Sequence, residues 1–334
     1  MSAAVLPTHT SALFDRAVES AVDLLQMGEP VALPTETVYG LAANAFNESA
    51  VDKIFEIKGR PSHNPIIVHV CGLEMARSCV ASWPAVAGKL AQAFWPGPLT
   101  LVLPRSKAIP DVVTAGGATV GIRWPAHPLM QAVIKRCGFP LAAPSANPSN
   151  ALSPTTAQHV YKALGDRLRL IIDGGPCHIG IESTVLDLTH TPPSVLRPGM
   201  VHLESLVAVT GGVETRSTQA GTLRSPGQLP KHYSPRARTM MLSWKDDQDL
   251  ERQLAHLNLR ATSSCIIAHN HIPSASAFSR VSVIPHDREA FARAIYAELH
   301  SCDETDPDAI VIEALPETNE WRAVSDRLKR ATAL

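Results

Sequence analysis

The segment Val31-Ala-Leu-Pro-Thr-Glu-Thr37 joins a short apolar strand directly to a polar loop. The same pattern recurs along the chain, because short apolar runs that predict strands alternate with amphipathic runs that predict helices. Before this segment, apolar residues at helical spacing from Leu13 to Leu25 predict a helix that Gly28 ends. Strands and helices interleave without a strict βαβ rhythm. The sequence therefore predicts an α/β fold with a twisted mixed sheet and flanking helices.

Apolar runs and capping residues predict the other elements. The predicted strands cover 66–70, 99–103, 119–122, 141–143, 170–172, 184–188, 195–196, 240–242, 265–268, 281–283 and 309–312. The predicted helices cover 48–57, 128–136, 155–164, 247–257, 288–300 and 320–331. The helix at 155–164 is expected to be capped by Ser153, with Pro154 in its first turn.

Composition divides the chain into two domains, since 334 residues are long for one core. The stretch 211–238 is rich in Gly, Ser, Thr and Pro and lacks apolar periodicity, which is typical of a linker. A plain spacer would not need the polar and aromatic residues that it carries, which are Arg224, Ser225, Lys231, His232 and Tyr233. We therefore predict a first domain over 1–210, a linker over 211–238 and a smaller α/β domain over 239–334.

The charge and the cysteine pattern exclude several classes of protein. The formal net charge is −1, which argues against nucleic-acid binding by bulk electrostatics. The six cysteines are scattered without a C-x-x-C pair, so neither a zinc site nor a disulfide framework is expected. The first ten residues lack a signal-peptide pattern, and no apolar run is long enough to span a bilayer. We expect a soluble cytoplasmic protein.

Two separated polar pairs suggest a site for an anionic ligand. Lys58 and Arg60 stand two residues apart in one pair, and Ser145 and Asn147 do so in the other. In an extended backbone such residues point to the same side, so each pair could present two polar groups to one ligand. A cationic pair facing a hydroxyl and an amide would suit a polyphosphate.

Six polar loops, none of which is a standard mechanistic motif alone, together resemble a known family. In chain order they are PTETVYGL at 34–41, KGRP at 58–61, GIRWP at 121–125, APSAN at 143–147, GIESTV at 180–185 and LRPG at 196–199. This order resembles the YrdC-type threonylcarbamoyl-AMP synthases. The linker sequences SPG at 225–227 and HYSP at 232–235 resemble the long, two-domain form of that family.

The resemblance implies a reaction, a fold and partners. Such an enzyme, an L-threonylcarbamoyladenylate synthase, joins L-threonine, bicarbonate and ATP, with Mg²⁺ on the triphosphate, and releases pyrophosphate. The adenylate is then transferred to a tRNA threonylcarbamoyltransferase, which uses it to form N6-threonylcarbamoyladenosine at position 37 of tRNA. The first domain would be YrdC-like and catalytic, the linker would fold over the active site, and the C-terminal domain would be Rossmann-like. A weak contact with tRNA is left open, and no membrane partner is expected.

The resemblance also implies roles for individual residues. Lys58 and Arg60 would be catalytic, and no protein metal site is implied. The ATP contacts would be Lys58, Arg60, Asn64, Thr119, Ser145, Asn147, Ser153, Arg197 and Tyr233. The L-threonine contacts would be Thr37, His69, Arg123, Ala143 and Ser183.

Alternatives stand beside several of these roles. From the residues alone, His69 would be a core histidine in a strand, Arg123 could form a structural salt bridge, and Ser153 could be a plain helix cap. At the level of the whole protein, an RNA-binding module of the same fold is the competing function. A hydrogenase-maturation carbamoyltransferase is disfavoured, because such proteins are much longer and carry zinc-ligand cysteine pairs.

Overall fold

The computed structural model describes residues 2–61, 63–214 and 233–333. The chain divides into two compact units, the first formed by residues 1–149 and 153–228 and the second by 150–152 and 229–334. Each unit contains its own sheet. Among the described helices, none combines the length and the apolar character needed to cross a bilayer.

The first unit contains ten strands and eight helices among its described residues. Its strands are β1 (Ala4–Pro7), β2 (Val31–Leu33), β3 (Gly40–Asn44), β4 (Val68–His69), β5 (Leu99–Pro104), β6 (Thr119–Arg123), β7 (Leu141–Ala142), β8 (Leu170–Asp173), β9 (Thr184–Asp187) and β10 (Ser194–Arg197). Its helices are α1 (Ser11–Gln26), α2 (Glu48–Lys58), α3 (Leu73–Ser78), α4 (Ala85–Phe94), α5 (Asp111–Thr114), α6 (Pro128–Cys137), α7 (Ala157–Leu164) and α8 (Leu203–Thr210).

The ten strands form one mixed sheet in the order β1-β8-β2-β3-β7-β4-β6-β5-β9-β10. Pairs such as β4 with β6 and β5 with β9 are parallel, whereas β2 with β3 and β5 with β6 are antiparallel. Both faces of β2 are buried, because Ala32 packs into one hydrophobic cluster and its neighbours Val31 and Leu33 pack into another. The predicted α/β fold with a mixed sheet is confirmed.

The second unit is a smaller α/β structure. Its strands are β11 (Arg238–Leu242), β12 (Ser264–Ala268), β13 (Arg280–Val283) and β14 (Ala309–Glu313), and its helices are α9 (Asp247–His256), α10 (Arg288–Asp303) and α11 (Arg322–Ala331). All the strand pairs are parallel, and the order is β11-β14-β12-β13. This arrangement of parallel strands with intervening helices confirms the predicted second α/β structure.

Some local predictions are wrong. The strand expected at 66–70 is reduced to Val68–His69. The helix expected at 155–164 begins at Ala157, and its cap is Thr156, whose side chain accepts a hydrogen bond from the backbone N–H of His159. Ser153 is therefore not the helix cap.

The extended geometry assumed for the two polar pairs is also wrong. Lys58 is the last residue of α2, and Gly59 follows it with φ +57°, in the left-handed region that glycine adopts without strain. In the second pair, the backbone N–H of Asn147 donates to the carbonyl of Ser145 at 3.0 Å, which closes a tight turn. Neither pair therefore presents its side chains as an extended strand would.

The linker prediction cannot be compared directly with the structure. Residues 215–232 lie outside the described residues, and with them lie Arg224, Ser225, Lys231 and His232. The boundaries at 210 and 238, and the expectation that the linker folds over the active site, stay predictions.

Candidate active site

The loop that follows β2 is a tight turn organised by Thr35. Its hydroxyl oxygen accepts hydrogen bonds from the backbone N–H groups of Thr37 and Val38, at 3.1 and 3.2 Å. The same hydroxyl donates to the carbonyl of Val38 at 2.6 Å. The Thr37 hydroxyl lies 2.9 Å from the Thr35 hydroxyl. The turn thus buries Thr37 with a defined orientation.

Arg123 ends β6 and extends its guanidinium towards this loop. Its Nη1 donates to the Thr37 hydroxyl at 2.9 Å, and its Nε donates to the carbonyl of Gly97 at 3.3 Å. Its Nη2 lies 2.7 Å from Oε1 of Glu36, and both side chains are buried. The salt bridge considered as an alternative is therefore present, and the position remains suitable for an anionic ligand beside the guanidinium.

The charges of Glu36 and Arg123 affect the ionisation of their neighbourhood. Burial raises the pKa of Glu36, but the charge of Arg123, a hydrogen bond from it and backbone hydrogen bonds from Ala126 and Glu36 together hold this pKa below its ordinary value. His69 lies beside Arg123 in register, on the parallel neighbour strand β4. Burial and then the charge of Arg123 lower the pKa of His69 to about 3, so its imidazole is neutral at physiological pH.

Ser183, directly before β9, is held by two neighbours. Its hydroxyl lies 2.8 Å from the hydroxyl of Thr100 on β5. The guanidinium of Arg197 donates to the Ser183 hydroxyl and to its carbonyl, at 3.1 Å each. Gly199 follows β10 and packs closely against the start of β9. A Cβ at this position would lie 2.4 Å from the backbone nitrogen of Thr184, so only glycine fits. Ser183 and Arg197, predicted for different substrates, are thus direct neighbours.

Lys58 reaches from the end of α2 to the second polar pair. Its Nζ donates to the carbonyl of Ser145 at 2.5 Å and to the carbonyl of Asn147. The residue is only 2% exposed. Burial and then the charge of Arg60 hold the pKa of Lys58 well below its ordinary value. The two motifs are therefore joined through backbone carbonyls rather than through the side chains of Ser145 and Asn147.

The loop after Lys58 is stabilised by its own arginine. The Nε of Arg60 donates to the carbonyl of Asn64 at 3.2 Å, and its Nη2 donates to the carbonyl of Pro65 at 2.8 Å. The side chain of Asn64 is completely buried, and neither its Oδ1 nor its Nδ2 has a partner among the described residues. Among the residues that the structure describes, this amide therefore has unused hydrogen-bonding capacity.

Backbone contacts connect the Lys58 region with the Arg123 region. The N–H of Ala146 donates to the carbonyl of Tyr39, and the N–H of Leu41 donates to the carbonyl of Pro144, both at 2.8 Å. The loop that holds Lys58 therefore packs against the segment that follows Thr37. The regions of Lys58 and Arg123 are thereby fixed to one framework.

The other predicted residues of the first unit lie on the same sheet or its loops. Thr119 is half-buried at the start of β6, opposite Pro104. Ala143 is buried, and its N–H donates to the carbonyl of Ile67 at 3.1 Å. The Ser153 hydroxyl donates to Oε1 of Glu182 at 2.6 Å, so Ser153 is a partner of a buried carboxylate.

Tyr233 belongs to the second unit, unlike the other predicted site residues. It has a φ of +62°, which is unusual for a residue with a side chain. Its ring lies 5.9 Å from the ring of Tyr296 and 5.6 Å from the Arg327 guanidinium, as in a cation–π pair. Its role as a nucleotide contact stays a prediction.

Several buried polar atoms in the first unit have no hydrogen-bond partner among the described residues. They include Nδ1 of His69, Nη2 of Arg123, both carboxylate oxygens of Glu36 and both polar atoms of the Asn64 side chain. A buried polar group without a partner costs about 1–3 kcal/mol, more if charged. Native proteins rarely keep such groups except where a ligand or a function requires them.

Glu36 was missed as a candidate from sequence. The signal was present, since this glutamate lies between two threonines in a polar loop that directly follows an apolar strand. Among the described residues, no group of three or more His, Cys, Asp or Glu side chains is arranged to hold a metal ion. The chemistry of the site is therefore that of cations, hydroxyls, amides and one carboxylate.

The fold and the site together define a class: an α/β protein whose first unit gathers buried cationic, hydroxyl and amide groups at the ends of its strands. The family described as telomere recombination, Sua5_yciO_yrdC, matches residues 23–199. The family described as the threonylcarbamoyl-AMP synthase C-terminal domain matches residues 201–333.

Individual proteins are similar over nearly the whole chain. The threonylcarbamoyl-AMP synthase of Pyrococcus abyssi is 38% identical, with 94% of each chain covered. That of Bacillus subtilis is 39% identical, with 95% of this chain and 93% of the relative covered. The crystal structure of P. abyssi Sua5 complexed with L-threonine is 36% identical, with a TM-score of 0.90 over 99% of this chain and 98% of the other. The chain belongs to the threonylcarbamoyl-AMP synthase family.

Proposed function

We propose that this protein catalyses the ATP-dependent formation of L-threonylcarbamoyladenylate from L-threonine and bicarbonate, with release of pyrophosphate. Family membership over both units supports this activity. The structural observation that carries it is the buried Arg123, which is aligned by Thr37 and lies beside neutral His69. A fixed guanidinium in a buried pocket suits the carboxylate of an amino acid.

The amino-acid subsite would consist of Thr37, His69, Arg123, Ala143 and Ser183. Arg123 binds the α-carboxylate, while the hydroxyls of Thr37 and Ser183 and the Nδ1 of His69 are placed for polar groups of the substrate. His69 takes part as a neutral imidazole, because its pKa of about 3 excludes a charge at working pH. Ala143 contributes its backbone at the boundary with the nucleotide.

The nucleotide subsite would contain the cationic groups Lys58 and Arg60. The carbamate formed from the threonine amine and bicarbonate attacks the α-phosphorus, and pyrophosphate leaves. Little covalent help is needed, so positioning and charge neutralisation dominate catalysis. The remaining ATP contacts in this proposal are Asn64, Thr119, Ser145, Asn147, Ser153, Arg197 and Tyr233.

Magnesium fits this site as a companion of the triphosphate. The described residues offer no ready cage of carboxylates, and Mg²⁺ commonly binds through substrate phosphates and water. Its chemistry there would be to offset the negative charge of the triphosphate. Lys58 and Arg60 would neutralise the phosphate oxygens that the ion leaves uncovered.

The product would serve the modification of tRNA at position 37. The adenylate is a mixed anhydride and must pass to a tRNA threonylcarbamoyltransferase before water destroys it. A cytoplasmic location and a weak contact with tRNA belong to the same proposal. Residues 211–238 would cover the site during this reaction, as predicted from sequence.

Pyrophosphate release tests the proposed function. The full chain is incubated with ATP, Mg²⁺ and bicarbonate, with and without L-threonine, and pyrophosphate is measured over time. We expect release only when threonine is present, and a product with the mass of threonylcarbamoyladenylate. Release independent of threonine, or tight retention of tRNA without any turnover, would contradict the assignment and favour the RNA-binding alternative.

A further inference from the structure

Glu36 is a buried carboxylate that its surroundings leave unsatisfied. Only 7% of the residue is exposed, and Arg123 Nη2 approaches Oε1 at 2.7 Å. The backbone groups of Ala126 and of Glu36 itself also interact with the carboxylate and lower its pKa. Neither carboxylate oxygen completes a hydrogen bond of normal geometry with a described residue. An ionised carboxylate has about four acceptor positions, so the group retains capacity for a further donor of good geometry.

Other buried carboxylates of the same unit accept hydrogen bonds from neighbouring groups. Glu182 accepts a hydrogen bond from the Ser153 hydroxyl at 2.6 Å. Asp187 accepts from the backbone N–H and the hydroxyl of Thr189, at 2.9 and 2.7 Å. Glu36 therefore lacks the hydrogen bonds that this fold supplies elsewhere, which points to a partner from outside the chain.

The charges around Glu36 indicate what that partner carries. A substrate with only a carboxylate, placed against Arg123, would leave two carboxylates competing for one guanidinium. In an α-amino acid the ammonium and carboxylate groups are attached to the same carbon atom, and the net charge of the molecule is zero. The adjacent guanidinium of Arg123 and carboxylate of Glu36 match those two charges in type and in spacing.

We propose that Glu36 accepts hydrogen bonds from the α-ammonium group of the amino-acid substrate. Glu36 thereby selects α-amino acids over α-hydroxy acids of the same shape. This inference rests on the proposed function, because it assumes that Arg123 binds the α-carboxylate. The alternative role for Glu36, holding Arg123 in position without touching the substrate, predicts no such selectivity.

The test compares two ligands in two proteins. The ligands are L-threonine and its 2-hydroxy analogue, in which a hydroxyl replaces the ammonium with the same configuration, and their Kd values are measured by calorimetry. For the natural chain we expect the analogue to bind roughly tenfold to a hundredfold more weakly, the range expected for a charge-assisted hydrogen bond. In Glu36→Gln this ratio should fall to about threefold or less.

Further variants separate recognition from positioning. Glu36→Asp keeps the charge and should restore part of the ratio. Asp187→Asn removes another buried carboxylate and should leave the ratio unchanged. If Glu36→Gln weakens both ligands equally, Glu36 only positions Arg123 and the proposal is wrong.

The ratio of the two Kd values in the natural chain tests the proposal even if Glu36→Gln does not fold. An analogue that binds within about threefold of L-threonine shows that no group recognises the ammonium, and overturns the proposal. Failure of the proposed function has a different signature, because the natural chain would then bind neither ligand and release no threonine-dependent pyrophosphate.

Discussion

Two buried glutamates, one in each unit, have opposite surroundings. Glu313, at the end of β14, accepts hydrogen bonds from the backbone N–H groups of His269, Asn270 and His271 at 2.8, 2.8 and 3.0 Å. The Nδ1 of His271 adds a contact of 2.9 Å. Glu36 has the nearby charge of Arg123 and weaker interactions with the backbone of Ala126 and of Glu36, but no hydrogen bond of full geometry with a described residue.

The difference separates a structural carboxylate from a functional one. Burial raises the pKa of Glu313, but its backbone hydrogen bonds outweigh burial and hold the pKa below its ordinary value, so the ionised group stabilises the loop after β12. Glu36 keeps its charge mainly through Arg123, and neither of its oxygens has a partner of full hydrogen-bond geometry among the described residues. Glu313 therefore maintains the fold through its hydrogen bonds, and we expect the unsatisfied groups around Glu36 to bind substrate.

The largest effect is expected at Lys58. Lys58→Met keeps the length of the side chain and removes the charge, so kcat/KM for pyrophosphate release should fall about a hundredfold or more, with the fold retained by circular dichroism. Lys53 is a matched control on the same helix, since its Nζ also donates to a backbone carbonyl, that of Gly28, at 3.0 Å. Activity in Lys58→Met equal to that of Lys53→Met would contradict the site.

Removal of Glu313 should affect stability instead of catalysis. Glu313→Ala leaves three backbone N–H groups without their acceptor, so the free energy of unfolding should fall by about 3 kcal/mol in urea titrations. The kcat/KM under native conditions should change by less than about twofold. A loss of stability below about 1 kcal/mol would show that Glu313 is not the structural counterpart of Glu36.

His69 should make the protein sensitive to acid. The pKa of His69 is about 3 in the folded chain and near 6.5 in the unfolded chain. At pH values between these two, His69 is protonated in the unfolded chain but not in the folded chain. The free energy of unfolding should therefore decrease as the pH is lowered across this window, by up to about 1.4 kcal/mol per pH unit from this group. His69→Asn should flatten the profile in urea titrations, and His9→Asn, at an exposed position, should not.

The smallest effect is expected at Asn64, whose side chain is unsatisfied. Asn64→Leu replaces this amide by an apolar group of similar size, so the free energy of unfolding should rise by about 1 kcal/mol while activity falls about tenfold. Asn47 is the matched control, because its Oδ1 caps α2 by accepting from the N–H of Ala50 at 3.2 Å. Asn47→Leu should lower stability by about 1 kcal/mol. A destabilised Asn64→Leu would indicate a structural amide.

Elements with strong local signals could be predicted from the sequence. The helix predicted from Leu13 to Leu25 is present as α1, because its apolar spacing and the glycine that follows it are local features. The strands β4 and β7 lie inside the predicted ranges 66–70 and 141–143 but are shorter, because pairing with neighbouring strands sets their bounds. The pair Ser145 and Asn147 shows the same limit, since the tight turn between them depends on the packing of the loop.

The sequence predicts the types of residue in the candidate site better than the contacts between them. Buried Arg123 signalled an anionic partner through its apolar neighbours, but its pairing with Glu36 joins segments 87 residues apart and no local pattern encodes it. Ser153 resembled a helix cap because it precedes Pro154, whereas the structure uses it to bind Glu182. Long-range polar pairs of this kind are fixed by topology, which the sequence pattern does not specify.

The central claim is that the polar atoms left unsatisfied in the first unit are completed by substrate. A crystal structure of the full chain with L-threonine and a non-hydrolysable ATP analogue tests it most directly. The account predicts that Glu36, His69 Nδ1, Arg123 and the Asn64 amide each gain a ligand atom within about 3.2 Å. Ligands bound elsewhere, with these same atoms still unpaired or satisfied only by protein groups, would contradict it.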